Sequence, residues 1–166
     1  MSHFRIGHGY DLHRLEPQAP VGQGRPLILA GVRLAHDRGP IAHSDGDALY
    51  HAVTDAILGA LALPDIGQLF PDTDPRHESQ DSEVFLRAAA DRAAALGWHV
   101  ENLDATVILE RPKLSPHKDA MRANLARVLA ISDDRVNVKG KTHERVDAVG
   151  EGRAVEVHAV VLLRRG

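Results

Sequence analysis

The chain has few large aromatic side chains with which to fill a protein core. Only one Trp, two Tyr and three Phe occur among its 166 residues, and cysteine is absent. The core must therefore be aliphatic, built from Leu, Val, Ile and Ala, and it cannot be held together by disulfide bonds. A chain of this length is expected to form one domain, over residues 1–166, that buries roughly 70% of its unfolded surface.

Charge and hydropathy argue against two kinds of partner. The formal net charge is -3, and acidic and basic residues are mixed along the chain without a basic block, so we expect no nucleic-acid surface. No apolar run approaches the roughly 20 residues that cross a bilayer. The first eight residues also lack the apolar centre of a signal peptide. We therefore expect a cytoplasmic protein with no membrane partner.

Hydrophobic periodicity predicts an alternation of strands and helices. Predicted strands cover 4–13, 27–29, 32–34, 103–112, 136–138 and 155–163, and predicted helices cover 47–61, 82–96 and 116–130. The segment 64–75 shows neither period and is predicted to be a long loop. This order indicates an α+β fold, a mixed β-sheet with helices packed on one face. The other face then needs cover, which favours oligomerisation.

The eleven histidines raise the question of which of them converge on a site. Asp11 and His13 are two residues apart on a predicted strand, so their side chains point to the same face. His51, near the start of the first long helix, is the best candidate for a third ligand. Three protein ligands with one open position are typical of a catalytic zinc site. Asp47 and Asp55 lie one turn either side of His51 and are predicted to orient its imidazole.

Taken alone, the Asp-x-His pair favours a surface Asp and His on an edge strand over a metal site by about two to one. We also expect His36, His77 and His99 to be exposed surface residues.

Three further segments have the residue types of a phosphate site. Residues 43–47 precede a helix whose N-terminal N–H groups attract anions, with Asp45 as its predicted cap, although a plain helix cap would look the same. Residues 70–74 form a polar loop stiffened by Pro71, and residues 110–116 place Lys113 between a strand and a helix. A surface turn and a solvated lysine are the plainer interpretations. No P-loop or G-x-S-x-G motif occurs, and Gly7-His8-Gly9 lacks the third glycine of a dinucleotide fingerprint.

Together these segments resemble the 2-C-methyl-D-erythritol 2,4-cyclodiphosphate synthases, enzymes of the non-mevalonate isoprenoid pathway. The similarity begins with Arg5-Ile6-Gly7-His8-Gly9-Tyr10-Asp11-Leu12-His13 and Ala42-His43-Ser44-Asp45-Gly46-Asp47. It continues, in the family's order, through residues 51–59, 65–74, 111–113 and 136–139 to Thr142 and Glu144. Each segment alone has a plainer interpretation, but their joint occurrence over nearly the whole chain does not.

The resemblance implies a homotrimer with active sites between neighbouring subunits. The family converts a CDP-linked methylerythritol 2-phosphate into the cyclic diphosphate and CMP. By this similarity Asp11, His13 and His51 hold Zn²⁺, and Glu144 holds Mg²⁺ or Mn²⁺ bound by the substrate diphosphate. His43 and Thr142 match positions that stabilise the transition state. The implied substrate contacts are Asp11, His13, His43, Ser44, Asp65, Ile66, Gly67, Phe70, Pro71, Asp72, Thr73, Asp74, Leu109, Glu110, Arg111, Pro112, Lys113, Leu114, Ser115, Lys141, Thr142, His143 and Glu144.

The chain departs from the family pattern after Glu144. Ala148 and Glu151 stand where the family often has Phe and Arg, residues that line a cavity on the trimer axis and bind phosphate. The resemblance therefore does not carry that ancillary site over to this chain. Our hypothesis is that Arg153 supplies the displaced positive charge.

Two other functions remain open at the level of sequence. A metal-dependent phosphodiesterase would use a zinc-activated water and release CMP with an open-chain product. A non-catalytic metal-binding or nucleotide-sensing module would have no turnover at all. Cyclisation differs from both because the nucleophile is the substrate's own 2-phosphate, so the reaction needs positioning and charge neutralisation rather than a protein base.

Overall fold

The computed structural model describes residues 3–71 and 73–166, and within them seven strands and five helices form. The strands are Phe4–Pro17 (β1), Ile28–Leu29 (β2), Val32–Arg33 (β3), Arg38–Pro40 (β4), Trp98–Ile108 (β5), Val136–Lys141 (β6) and Ala154–Arg165 (β7). The helices are Ala48–Ala60 (α1), Ile66–Leu69 (α2), Glu83–Ala95 (α3), Lys118–Leu129 (α4) and Asp147–Gly150 (α5). Short 3₁₀ turns cover Pro75–His77, Ser115–His117 and Asp133–Arg135.

Five of the strands form one mixed sheet in the order β4-β1-β7-β5-β6. Strands β5 and β6 are parallel, whereas β7 is antiparallel to both β1 and β5. The long apolar strand β7 lies at the centre, and β2 and β3, which fall within the predicted strands 27–29 and 32–34, form a hairpin apart from the sheet. The prediction of an α+β domain with a mixed sheet is confirmed.

Burial alternates along the long strands and separates the two faces of the sheet. Helix α1 packs on β1 and β7, α3 packs on β5, and α4 packs on β6. On the opposite face Ile6, Tyr10 and Leu12 of β1 are 72%, 47% and 51% exposed. The helices therefore cover one face, and the other presents apolar side chains to the surroundings.

Two glycines set how closely α1 approaches the sheet. A Cβ atom built on Gly7 would lie 1.9 Å from the carbonyl oxygen of Ala56, and one built on Gly9 would lie 1.8 Å from that of Ala52. No other residue has a side chain small enough for this contact, so the backbone of α1 rests directly on β1. The Gly7-His8-Gly9 motif is therefore a packing device rather than a fragment of a dinucleotide fingerprint.

Helix α1 is capped by Asp47, not by Asp45 as predicted. The fully buried Asp47 carboxylate accepts the N–H groups of Leu49 and Tyr50 at 3.1 and 3.0 Å. It also accepts the N–H groups of Ala30 and Gly31 at 2.9 and 2.7 Å, which ties the hairpin turn to the helix. Burial raises the pKa of Asp47 to about 6, despite these donors. Asp47 therefore occupies two of the free N–H groups at the start of α1, which favours the plain helix cap over the anion site.

Several element boundaries also differ from the prediction. Strand β5 begins at Trp98, five residues before the predicted start, and ends at Ile108, four residues before the predicted end at Pro112. The segment predicted as a loop at 64–75 contains α2 and the start of a 3₁₀ turn, and β4 and α5 were not predicted. Within the described residues, no helix is both long and apolar enough to cross a membrane.

The first prediction concerns the contact between α1 and β1. We expect Gly9→Ala to lower the free energy of unfolding by about 3 kcal/mol, because the added methyl group meets a backbone oxygen that cannot move independently. Gly59→Ala is the matched control in α1, where the nearest atom to a built Cβ is 3.9 Å away. It should raise stability by about 0.5–1 kcal/mol through helix propensity. Urea unfolding measures both, and equal effects of the two variants would contradict the close contact.

The second prediction concerns the link between α3 and α4. Glu83 accepts hydrogen bonds from Arg127 at 2.6 and 2.9 Å and from Arg87 at 2.7 Å. Arg127 and Arg87 thereby outweigh the opposing effect of burial and lower the pKa of Glu83 from 4.5 to about 2. A carboxyl with a lowered pKa stabilises the fold above its ordinary pKa and loses that contribution as the pH falls through its folded value.

Glu83→Gln should therefore cost about 1 kcal/mol at pH 7, or about 2–4 °C in Tm. The cost should shrink as the pH falls from 4.5 towards 2. Differential scanning calorimetry over that range measures it. A cost that is the same at pH 7 and pH 2 would show that the charge of Glu83 is not responsible.

Candidate active site

Asp11, His13 and His51 converge as predicted. The first two project from β1 towards α1, and His51 lies in the first turn of α1. The Oδ2 atom of Asp11 is 2.8 Å from Nδ1 of His13 and 3.3 Å from Nδ1 of His51. One ligand atom from each of the three residues lies within 4.8 Å of the others, which is a group that could hold a metal ion. The three side chains are 12–22% exposed.

The ligand atoms of this triad are suited to a divalent cation. Asp11 Oδ2 and His13 Nδ1 are buried, and neither has a hydrogen-bond partner of acceptable geometry among the described residues. Burial by itself would raise the pKa of Asp11, but the nearby imidazoles of His13 and His51 lower it to about 2. Burial would likewise lower the pKa of His51, and the Asp11 carboxylate raises it instead. A carboxylate and two imidazoles are ligands that zinc takes readily.

The second ring nitrogen of His51 is held by serines. Its Nε2 atom lies 2.8 Å from Oγ of Ser82 and 3.3 Å from Oγ of Ser44. The prediction that Asp47 or Asp55 orients this ring is wrong. Both stand on the correct helical face, but Asp47 accepts four backbone N–H groups and Asp55 accepts the N–H of Ile66 at 2.8 Å.

The triad opens into a pocket of about 650 Å³. Besides the triad, its lining includes the predicted residues His43, Ser44, Ile66, Gly67 and Phe70. Nε2 of His43 donates a hydrogen bond to the carbonyl oxygen of Asp74 at 3.2 Å. This bond joins the loop after α2 to the segment before α1. The candidate metal ligands therefore line the same cleft as His43 and Ser44.

Of the other predicted residues in this region, those that the structure describes do not line the pocket: Asp65, Pro71, Thr73 and Asp74. Asp65 caps α2 by accepting the N–H of Gln68 at 2.9 Å, while Pro71 and Thr73 are exposed. Asp72 lies outside the described residues.

Four residues that line the pocket of the triad were not predicted as site residues: Ile41, Ala42, His77 and Phe85. His77, predicted to be exposed, has only 19% of its side chain exposed and lies edge-on to Phe70 and Phe85. His36, also predicted to be exposed, is 14% exposed, whereas His99 is exposed as predicted. The available signal was the joint presence of Phe70, His77 and Phe85 in an aromatic-poor chain.

A second pocket, of about 350 Å³, gathers the other predicted residues where β5 and β6 end. These two strands are parallel, so the segments that follow them lie side by side. Thr142 donates its hydroxyl to Glu144 at 3.0 Å within this group. The predicted residues lining this pocket are Leu109, Glu110, Pro112, Lys113, Leu114, Ser115, Lys141, Thr142 and Glu144. Arg111 instead lines a neighbouring pocket, and His143 pairs with Asp147 at 2.9 Å.

Within one chain the two pockets have no lining residue in common. Register places Asp11 opposite Val157, Val157 opposite Val107, and Val107 opposite Gly140. Since neighbouring strands lie about 4.8 Å apart, Asp11 and Gly140 are separated by about 14 Å. The metal triad and the pocket of Thr142 and Glu144 therefore lie on different parts of the sheet within one chain.

In the segment after Glu144, the positive charge of Arg153 is paired with a nearby carboxylate. The guanidinium of Arg153 donates to the Glu151 carboxylate through Nε at 2.7 Å and through NH2 at 2.5 Å. In this chain the positive charge of Arg153 is therefore balanced by the acidic residue that replaces the family arginine.

Known proteins of the same kind match over almost the whole chain. A curated relative from Catharanthus roseus, the chloroplastic 2-C-methyl-D-erythritol 2,4-cyclodiphosphate synthase, is 56% identical over 98% of this chain, which spans 66% of that protein. The synthase of the same name from Dechloromonas aromatica is 54% identical over 98% of each chain. The solved structure of IspF from Plasmodium falciparum in its CDP complex is 36% identical, with a TM-score of 0.85 over 99% of this chain and 98% of that one.

The resemblance found in the sequence is therefore confirmed at the level of the family. The family model described as the YgbB family matches residues 4–164. This chain belongs to the YgbB family.

Proposed function

We propose that the protein is a cyclodiphosphate synthase of the non-mevalonate isoprenoid pathway, acting in the cytoplasm. Its substrate would be 4-diphosphocytidyl-2-C-methyl-D-erythritol 2-phosphate, and its products 2-C-methyl-D-erythritol 2,4-cyclodiphosphate and CMP. The observation that carries this proposal is the convergence of Asp11, His13 and His51, including two buried ligand atoms without a hydrogen-bond partner, in a cleft that also holds His43 and Ser44. The names of the relatives and the CDP complex of the Plasmodium protein support it.

The reaction requires two reacting groups of one substrate to meet. An oxygen of the 2-phosphate forms a bond to the β-phosphorus, and the bond from that phosphorus to the oxygen shared with the CMP phosphate breaks. That oxygen leaves on CMP with the electron pair. Zinc held by Asp11, His13 and His51 would supply positive charge that polarises and orients a phosphate oxygen. The remaining task is to hold a flexible chain with its ends together, which can remove up to roughly 7–11 kcal/mol of barrier.

The chain's own residues divide this task between the two pockets. His43 and Ser44 would donate hydrogen bonds to phosphate oxygens beside the triad, and His43 would stabilise charge that develops in the transition state. In the second pocket Lys113 would pair with a phosphate, and Thr142 would donate its hydroxyl to the transferring group. Glu144 would hold Mg²⁺ or Mn²⁺ with the substrate diphosphate. The segment 109–115 would bind the nucleotide.

A site formed between subunits would bring both pockets to one substrate diphosphate. We therefore propose a homotrimer in which the triad of one subunit faces the Thr142 and Glu144 pocket of its neighbour. The uncovered sheet face, with Ile6, Tyr10 and Leu12 exposed, offers the apolar surface for such an assembly. The separation of about 14 Å between the two halves within a chain supports the same arrangement.

The third prediction tests the chemistry. Purified protein should contain one zinc per chain and convert the CDP-linked substrate to CMP and the cyclic product. In water enriched in ¹⁸O neither product should carry the label, because no water enters the reaction. His51→Ala should lose the zinc and more than about 100-fold of the activity, which exceeds the usual effect of removing a supporting residue.

His99→Ala, an exposed histidine outside both pockets, is the control and should change neither zinc content nor rate. Mass spectrometry of the products and metal analysis give the result. A labelled open-chain bisphosphate would establish the zinc-activated water mechanism instead, and bound zinc without turnover would establish a binding module.

The fourth prediction tests the shared site. His51→Ala and Glu144→Gln each disable one pocket, so each variant alone should be nearly inactive. When the two are co-expressed, a site is intact if its triad comes from a Glu144→Gln chain and its second pocket from a His51→Ala chain. Random mixing in a cyclic trimer then restores about a quarter of wild-type activity. Co-expressed, doubly tagged assemblies that stay as inactive as the separate variants would contradict a site between subunits.

A further inference from the structure

Ser82 stands at a helix cap but does not cap the helix. It immediately precedes α3, the position where a serine hydroxyl usually accepts an N–H of the first turn. No such side-chain bond is present, and the residue is fully buried. Its hydroxyl is therefore engaged elsewhere, because a buried hydroxyl without partners is costly.

The hydroxyl of Ser82 lies between Asp45 and His51. It donates to Oδ1 of Asp45 in a short hydrogen bond, and the backbone N–H of Ser82 donates to the other oxygen of the same carboxylate at 3.2 Å. Nε2 of His51 is 2.8 Å from Oγ of Ser82. A hydroxyl can donate only one hydrogen bond, and here the Asp45 carboxylate accepts it. The Ser82 oxygen is therefore an acceptor towards His51, whose Nε2 must carry the hydrogen.

This assignment determines what the other nitrogen of His51 can do. With the hydrogen on Nε2, Nδ1 carries a lone pair, and Nδ1 is the atom that faces Asp11 at 3.3 Å. A neutral imidazole that donates through one nitrogen and offers the other is the form that binds a metal ion.

The backbone holds this arrangement in register. The N–H of Ser79 donates to the carbonyl of His43 at 2.8 Å, and the N–H of Asp45 donates to the carbonyl of Gln80 at 3.0 Å. These two bonds clamp the segment before α3 against the segment before α1. Asp45 and Ser82 are thereby fixed relative to each other although they are 37 residues apart in the sequence.

We propose that Asp45 and Ser82 form a positioning pair that sets the tautomer and orientation of His51 and thereby the metal affinity of the site. This inference rests on the proposed metal site and adds two residues that act through His51 without touching the ion. The pair works in series: Asp45 orients the hydroxyl of Ser82, and that hydroxyl orients the ring.

The test compares Ser82→Ala with Ser82→Thr in the full chain. Ser82→Ala should weaken zinc binding by about 10–100-fold, the range found for supporting partners of a metal-bound histidine. It should also shift the visible absorption bands of the Co²⁺-loaded protein, because the ring loses the shorter of its two serine contacts. Ser82→Thr keeps the hydroxyl and should restore both properties. The zinc Kd is measured by competition with a chromophoric chelator.

Thr54→Val is the matched control. Thr54 is also fully buried, and its hydroxyl donates to the carbonyl of Tyr50 at 2.7 Å within α1. Removing this hydroxyl should lower stability without changing the zinc Kd or the cobalt spectrum. An equal loss of zinc affinity in Thr54→Val would show that a general loosening of the fold, and not the positioning pair, causes the effect.

Asp45→Asn tests the same pair independently of any change at Ser82. It should also weaken zinc binding, and the double variant Asp45→Asn/Ser82→Ala should be no weaker than Ser82→Ala, because the two residues act in series. Wild-type zinc affinity and cobalt spectrum in Ser82→Ala and Asp45→Asn would overturn the pair and leave the proposed function intact. Failure of the wild-type protein to bind zinc would overturn the proposed function itself.

Discussion

Helix α1 rests on β1 at a distance that only glycine permits, and the geometry of the candidate site follows from that contact. Gly7 and Gly9 meet the carbonyl oxygens of Ala56 and Ala52. Asp11 and His13 continue the same face of β1, so they point at the first turn of the helix that the glycines admit. His51 stands in that turn, and its Nδ1 lies 3.3 Å from Asp11. If larger side chains stood in place of these glycines, α1 would lie farther from β1, and the three ligand atoms would not come together.

The polar groups around the triad are already assigned to other partners. Asp47 binds four backbone N–H groups, Asp55 binds the start of α2, and Asp45 binds Ser82. Asp11 Oδ2 and His13 Nδ1 are left buried without a hydrogen-bond partner. Among the described residues five buried side-chain atoms lack a hydrogen-bond partner, and two of them meet in this triad, where a cation could satisfy both. Three nearby carboxylates are therefore engaged by protein groups, and Asp11 is available to bind a cation.

The sequence was sufficient for features that depend on local pattern or on a matched motif. Period and turn residues predicted the main helices and strands, and the spacing of Asp11 and His13 predicted a shared face. Features that depend on distant contacts were not readable. The role of Gly7 and Gly9 depends on a helix more than 40 residues away, and the burial of His77 depends on Phe70 and Phe85. Asp45 and Asp47 are both good capping residues, and only the path of the chain through Gly46, with φ of 77°, decides between them. The division of the site residues between two pockets follows from strand order, which the sequence pattern did not specify.

That division has a consequence for how a new molecule becomes active. Each chain folds with the candidate metal triad and the pocket of Thr142 and Glu144 on different parts of its sheet. In the proposed trimer a newly made subunit is catalytically silent, whatever its metal content, until it meets partners. Turnover per chain would then fall on dilution below the concentration at which subunits separate, even with saturating substrate. Interface residues far from any phosphate would be under the same functional constraint as the ligands themselves.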